Sequence, residues 1–576
     1  MIRRIVCNPV VSLCLAIAAI LANDCSFAQT QEPLQVRGTP HLIFSTYLGG
    51  TTPCDGCSDA RTFAQNAGSD AQGNTYVTGA SRASDLPVLN AFQPKPAPHS
   101  EITAFVAKYD AAGKPLWLTY LGGNRQTMGV GVAVLRDGAV AIAGMTSSDA
   151  SGPFPTKNAF QDHNNGKSDY FVTVLDANGN LRYSTYLGGS DEDGSSFTDD
   201  NSNGNNVSVE SHGLVYVVGT TRSDGGNGGI KFPVTSNALQ PDLKGSTDAF
   251  LCILNPAKRG PDSLVYCSFL GGDRDEKGHS VTVNAAGDLI TVAGYTNSSD
   301  FPTTSNAYRS HPAPSGYTSN GFLSQFRSSK PGDRFAEYTA RYSTYLGADS
   351  KEARDDTYAV ALDAKGLIVA TGRTESSNFP MNGPEVPSIY NNAPYLKPHT
   401  SGDEAFLVKI DPSLEGEASL VYSTFLGGGS AKKGGLTTFC TAVVVDSKNA
   451  VYVGGETSSP GVGYVPFPIP LTAPAKFPYT NNALLASQQG SFDAILMQVS
   501  PRGSWLGYST FVGGKGNDRA YGLAVDPAGN VVLTGLTSSS DFPVKNPAQP
   551  WPGIPGEQNG FVAKFSFLAV SGDGNR

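Results

Sequence analysis

Apolar residues along this chain fall in short runs, about four to eight long, separated by segments rich in Gly, Pro, Asn and Asp. Runs of that length bounded by turn residues predict strands rather than helices. One run recurs seven times and ends each time in a glycine pair or its near equivalent: Phe44 to Gly50, Trp117 to Gly123, Tyr183 to Gly189, Tyr266 to Gly272, Tyr342 to Ala348, Tyr422 to Gly428 and Tyr508 to Gly514. A spacing of about 65 to 85 residues is too long for helical or leucine-rich solenoids. It suits a four-stranded propeller blade with one long loop.

The intervening pattern fills in the other three strands. A second apolar run follows each glycine pair and often ends in an acidic residue, then comes a Gly or Asn turn and a third run ending in Gly, as in Tyr521 to Asp526 and Val531 to Gly535. Asp or Asn followed by Gly between apolar runs is hairpin chemistry, because these residues tolerate positive φ and bond their own backbone. A hydroxyl-rich stretch then leads to an aromatic-proline pair, at Phe154-Pro155, Phe232-Pro233, Phe301-Pro302, Phe379-Pro380, Phe477-Pro478 and Phe542-Pro543, with Leu86-Pro87 in the first repeat. Its ring can fill the wedge between sheets while the proline, lacking an N–H, stops the strand. The fourth strand is Phe105 to Lys108, Phe171 to Val174, Phe250 to Ile253, Phe406 to Lys409 and Phe561 to Lys564.

Each repeat is thus four antiparallel strands, and one such sheet cannot bury both of its faces alone. The expected fold is all-β, a single seven-bladed β-propeller over residues 42–567. The chain starts on the glycine-paired strand and ends, at Phe561 to Phe567, on the strand that elsewhere precedes it. Residues 42–48 should therefore complete the last blade and hide its edge.

The succession of Tyr-Ser-Thr-Tyr-Leu-Gly-Gly, Ala-Val-Asp, Gly-Asn-Val-Tyr-Val-Thr-Gly and Asp-Phe-Pro motifs resembles the bacterial SBBP family, a seven-bladed β-propeller repeat, over nearly all of the chain beyond its leader. The resemblance implies an exported or cell-surface protein, surface-layer-like in some members. It implies no established catalytic residues.

Composition adds a compartment. Residues 1–28 read as a secretory signal, with Arg3 and Arg4, an apolar run from Val10 to Ala22, and Ser26-Phe27-Ala28 as the cleavage site. Residues 29–41 form a linker and 568–576 a tail. Losing Arg3, Arg4 and Asp24 moves the formal charge from -9 to about -10. With no basic stripe, the balance argues against nucleic acid and anionic membranes. No later segment is apolar enough to span a bilayer, and a monomer is expected. Outside the leader remain Cys54, Cys57, Cys252, Cys267 and Cys440. Cys252 and Cys267 fall on consecutive strands of one repeat and suggest a cross-strand disulfide. Cys54 and Cys57 suggest a small loop-closing one, and Cys440 a buried small hydrophobe.

With the glycine-paired strand outermost, most large insertions lie on one face: Thr51 to Arg61, Ser190 to Gly204, Arg222 to Ile230, Gly429 to Leu436 and the Pro-rich stretch Ser458 to Lys476. Function is expected on that face, from loops on a rigid scaffold. Asp199, Asn201, Asn203 and Glu210 have the spacing of a twelve-residue calcium loop, which makes calcium the candidate cofactor. Glu210 also stands where other repeats place a turn-capping Asp. There is no Gly-x-Ser-x-Gly elbow, no metal-ligand spacing of the seven His and no phosphate-binding loop. The expectation is a non-enzymatic scaffold that binds protein or carbohydrate at or beyond the cell surface. A polysaccharide hydrolase or lyase using carboxylates from different blades at the central channel, and a structural envelope component, remain the alternatives.

Overall fold

In the computed structural model the chain divides into two compact units, Met1–Gln35 and Val36–Arg576. The residues described are 40–194, 204–312, 319–347, 354–376, 379–380, 403–427, 437–463, 477–503 and 506–567, all in the second unit. The leader, most of the linker and the tail lie outside them.

Seven four-stranded antiparallel sheets form the ring. Blade 1 is Thr62–Ser69, Thr75–Ser81, Thr103–Tyr109 and Pro115–Leu121, running outward from the axis. Blades 2 to 6 follow in the same order, with inner strands at Thr127–Val134, Val207–Val209, Glu276–Val283, Asp355–Leu362 and Thr438–Val445. Blade 7 takes Asp518–Val525, Val531–Thr537 and Asn559–Ser566 from the C-terminal end and His41–Leu48 from the N-terminal end. The closure expected from the repeat phase is present: Ser45 faces Ala563 and Leu48 faces Gly560 across the seam.

Inner strands bulge near their third residue, as between Ala64 and Asn66 or Thr357 and Ala359. The bulge brings a carbonyl against the neighbouring strand, where a Cβ on Gly79 would overlap the Phe63 carbonyl oxygen and one on Gly372 that of Asp356. This close approach explains the glycine that ends each third apolar run.

The core lies between blades. One cluster joins Val172 and Tyr183 of blade 2 to Val217 and Phe250 of blade 3. The anchor rings pack against the third-strand Phe of their own blade, with centroids 4.5 Å apart for Phe154 and Phe171 and 4.6 Å for Phe542 and Phe561. The second Tyr of the repeated motif then ties the anchor down. Tyr186 Oη accepts the Phe154 amide at 2.9 Å, Tyr345 the Phe301 amide at 2.9 Å and Tyr47 the Phe542 amide at 3.1 Å. The motif's Thr accepts a loop amide as well, Gln161 N donating to Thr185 Oγ1 at 2.9 Å. The recurring Asn-Ala-Phe-Gln stretch is therefore structural, since Gln161 Oε1 in turn accepts Gly188 N at 3.1 Å.

Both expected disulfides are formed, Cys54–Cys57 and Cys252–Cys267, with Cα atoms 5.1 and 4.0 Å apart. Cys440 is free and buried. No helix among the described residues is long and apolar enough to cross a membrane.

Candidate binding face

The two ends of the ring differ in chemistry. On one end, hairpins join the first and second strands of each blade and the third and fourth strands of blades 1 to 6; we call it the turn face. Its first hairpins are built alike: Asp363 Oδ1 accepts the Lys365 and Leu367 amides at 2.8 and 2.9 Å, and Asp526 Oδ1 those of Ala528 and Asn530 at 3.0 and 2.9 Å. Around the axis at this end, Val134, Val209, Val283, Leu362, Val445 and Val525 form an apolar rim.

Three of these hairpins carry a buried ion pair. Asp526 Oδ2 lies 2.8 Å from Lys564 Nζ and Asp363 Oδ2 2.8 Å from Lys409 Nζ, with Asp70 and Lys108 looser at 3.9 Å. Each lysine also donates to a neighbouring blade, Lys564 to Gly73 O at 2.6 Å and Lys409 to Pro501 O at 3.1 Å. In blade 2 the same two register positions are Leu135 and Val174, both apolar. Salt bridge and hydrophobic pair are thus interchangeable solutions to one buried site.

The opposite end, the loop face, carries the crossovers between blades and the anchor loops. Beneath the first glycine of each pair, two side chains meet from adjacent blades. A Cβ on Gly188 would overlap the carboxylates of Asp169 and Asp193, and one on Gly271 those of Asp248 and Glu276. At Gly513 the pair is Asp493 and Asp518, whereas at Gly122 it is Thr103 and Thr127. The glycine is required because the polar pair fills the space a side chain would need. Burial, chiefly, pushes Asp169 up to about 8, Asp193 and Glu276 to about 7 and Asp493 to about 6, and in these pairs the partner carboxylate adds to the rise at Asp169, Glu276 and Asp493. Amides oppose it, Gly189 N donating to Asp193 Oδ2 and Gly272 N to Glu276 Oε2 at 2.9 Å.

Nearer the axis, blades 4 to 7 present charge and aromatic surface at this end. Arg373 Nε lies 3.0 Å from Asp356 Oδ2 and its guanidinium 5.9 Å over the Phe439 ring. Arg519 pairs with Glu456 at 3.1 Å over Phe492, and Lys277 lies 5.9 Å over Tyr295. Glu375 is raised by burial and by Asp403. His279, buried between Tyr295 and Tyr358, is pushed down to about 4 by burial.

The axial cavity, about 340 Å³, is bounded by residues of all seven inner strands, mainly Ala and Val with Asn66, Asn205 and Ser280. No carboxylate lines it among the described residues. The paired carboxyl groups sit instead under the crossovers, as beneath Gly188, Gly271 and Gly513.

One expected insertion is placed differently from the sequence reading. Ser190 to Gly204 does not simply link blades 2 and 3 but interrupts the inner strand of blade 3. Asp193 bridges Thr221, Gly194 N donates to Thr220 O at 2.9 Å, and pairing resumes only at Val207. Gly204 reaches the Tyr358 carbonyl of blade 5, and Asn205 Nδ2 donates to Val132 O of blade 2 at 3.2 Å, so residues 204 and 205 touch the inner strands of two other blades. A register count over polar loop residues cannot reveal such an inward excursion. Of the calcium-loop residues, Asp199, Asn201 and Asn203 lie outside the described residues. Glu210 caps the turn-face hairpin, its two oxygens accepting His212 N at 2.7 Å and Leu214 N at 2.9 Å. Among the described residues, no group of three or more His, Cys, Asp or Glu is arranged to hold a metal ion.

No family model matches the chain. Over 183 residues it is 27% identical to the regulatory protein FlaEY of Caulobacter vibrioides, a match covering 32% of this chain and 17% of that protein. The chain thus spans well under two thirds of that relative. Among solved structures, a Dyadobacter fermentans protein of unknown function aligns over 92% of this chain and 99% of its own at 10% identity and a TM-score of 0.37. Quinohemoprotein alcohol dehydrogenase from Comamonas testosteroni aligns over 94% of this chain and 79% of its own, at 9% identity and the same TM-score of 0.37.

Proposed function

We propose that this chain is an exported, non-catalytic propeller of the SBBP type whose loop face binds a protein or polysaccharide. The observation that carries the reading is the asymmetry of the ring: the first hairpins of the turn face repeat one design, while crossovers on the other face differ in length and course from blade to blade. Variation on a rigid frame is how binding surfaces are diversified. The two disulfides suit an oxidising compartment. Among the described residues, the most exposed large aromatic on the loop face is Trp551 at 74% and on the turn face Phe335 at 90%.

The purified protein is to be probed on glycan and secreted-protein arrays, with any ligand retested against Trp551→Ala and Phe335→Ala. Binding weakened by the first and untouched by the second is the expected result. Loss confined to Phe335→Ala would move the working surface to the turn face, and release of a cleaved product would replace binding with catalysis.

A further inference from the structure

A second cavity, about 330 Å³, opens on the rim of the ring between blades 3 and 4. Its origin is a single register position. Two residues before the first aromatic of the repeated motif, on the far side of the bulge, the outermost strand carries Leu42, Leu181, Leu264, Leu420 or Leu506, with Pro115 in blade 1, and in blade 4 it carries Ala340, opposite Phe326. Leu264 packs into the cluster shared with blade 2 and Leu420 into the cluster shared with blade 4, each leaning on the preceding blade. Ala340 is exposed and leaves the corresponding space beside blade 3 unfilled.

The walls of this space are apolar: Leu251, Phe269, Leu270 and Phe326, with Pro241 and Pro302. Its polar groups are already committed. Ser343 Oγ donates to Pro302 O at 2.6 Å and Ser268 Oγ to Phe269 O at 2.9 Å. Gln240 Nε2 donates to Asp248 Oδ2 at 2.7 Å while its Oε1 accepts Gly271 N at 3.0 Å. Lys244 is the one cationic side chain lining the cavity, it is exposed, and no ion pair engages it among the described residues.

We propose that this cleft is a binding site for a small organic acid with an aromatic or aliphatic body, the apolar part seated where a leucine stands in five other blades and the anion against Lys244. The volume falls in the range of small-molecule sites, about 300 Å³ and upward. With no free polar partner on its walls, the cleft rewards an apolar body, and the single cation at its edge selects the charge.

The test is calorimetric titration with 1-naphthoate and its uncharged analogue 1-naphthalenemethanol. The wild type is expected to bind the acid with a Kd below about 1 mM and the alcohol roughly tenfold more weakly. Lys244→Ala, at an exposed position, should bring the acid down to the level of the alcohol and leave the alcohol unchanged. Ala340→Leu should abolish both while keeping the melting temperature at or above that of the wild type, because it restores the residue the fold carries elsewhere. Failure of the wild type to bind the acid, unchanged binding by Ala340→Leu, or equal affinity of Lys244→Ala and wild type for the acid would each overturn the proposal.

Discussion

The buried carboxyl pair Asp169 and Asp193 gives a quantitative prediction. In the unfolded chain an Asp titrates near 3.8, whereas burial and the Asp193 charge hold Asp169 up near 8 against the Asn165 amide and the Gln161 side chain. Between those values the folded protein keeps a proton that the unfolded chain releases. The stability associated with this group is therefore complete below about pH 4 and declines as pH rises toward 8, at about 1.4 kcal/mol per pH unit. Asp169→Asn removes that titration and is sterically apt, since blades 4 and 7 carry Asn320 and Asn559 in the same register. From pH 5 to pH 8 the variant should gain about 4 kcal/mol over the wild type. With an unfolding entropy of ~2.1 cal/mol/K per residue over roughly 500 residues, 1 kcal/mol moves the melting temperature by about 1 °C, so the gap should widen by about 4 °C. Scanning calorimetry of both proteins across this interval reads it directly, as groups common to both cancel in the difference. A gap that stays constant within about 1 °C would show that Asp169 is ionised throughout, and the reasoning about all of these pairs would fail.

Other perturbations address separate parts of the ring. Lys564→Met should cost about 3–5 kcal/mol, because it strands the Asp526 carboxylate where the two side chains are 0% and 2% exposed; the double variant Asp526→Leu, Lys564→Val, which copies blade 2, should recover most of the loss in urea titrations. Deleting residues 29–50 removes the strand that buries Phe44, Tyr47 and Leu48, and should depress the melting temperature far more than trimming 571–576, or prevent folding altogether. Glu210→Ala should cost about 1–3 kcal/mol through the unpaired hairpin amides, equally with calcium or with chelator; a calcium-dependent melting shift that the variant abolishes would make Glu210 a ligand instead.

What could be read before folding was whatever repeats in one strand or one turn. The Tyr-Ser-Thr-Tyr copies, the Asp-Gly hairpins and the unmatched first strand are local signals, and together they imply the ring and its closure. The carboxyl pairs are not local. Asp169 and Asp193 stand on different blades, and only the geometry of the crossover brings both under Gly188. A signal did exist, because Asp169, Asp248, Glu404 and Asp493 all begin the third strand of their blades, while Asn320, Asn559 and Thr103 hold the same place elsewhere. Recurrence of an acid at a strand start marks a buried polar position, but not its partner. The rim cleft was harder still, since Ala340 is conspicuous only once the bulge fixes its register against five leucines.

The same pairs also explain why the loop face can vary at all. A crossover must leave one outer strand and enter the next inner strand over a junction already filled by two polar side chains, so its first residue must be glycine. Beyond the second glycine the constraint lapses: in one crossover Ser190 is followed by a chain that pairs with Thr220 and Thr221 and takes up the inner strand again only near Val207, while Asp273 turns directly into blade 4, its amide held at 2.8 Å by Asp300 Oδ1. On the turn face no such release point exists, because the residue that opens the first hairpin also meets a lysine or the neighbouring blade in several repeats, as Asp363 and Asp526 do. Changing a turn there unsettles an interblade contact, whereas changing a crossover beyond its glycines leaves the junction intact. Divergence is thereby channelled to one end of the ring, and a binding surface can be altered there at little cost to the scaffold.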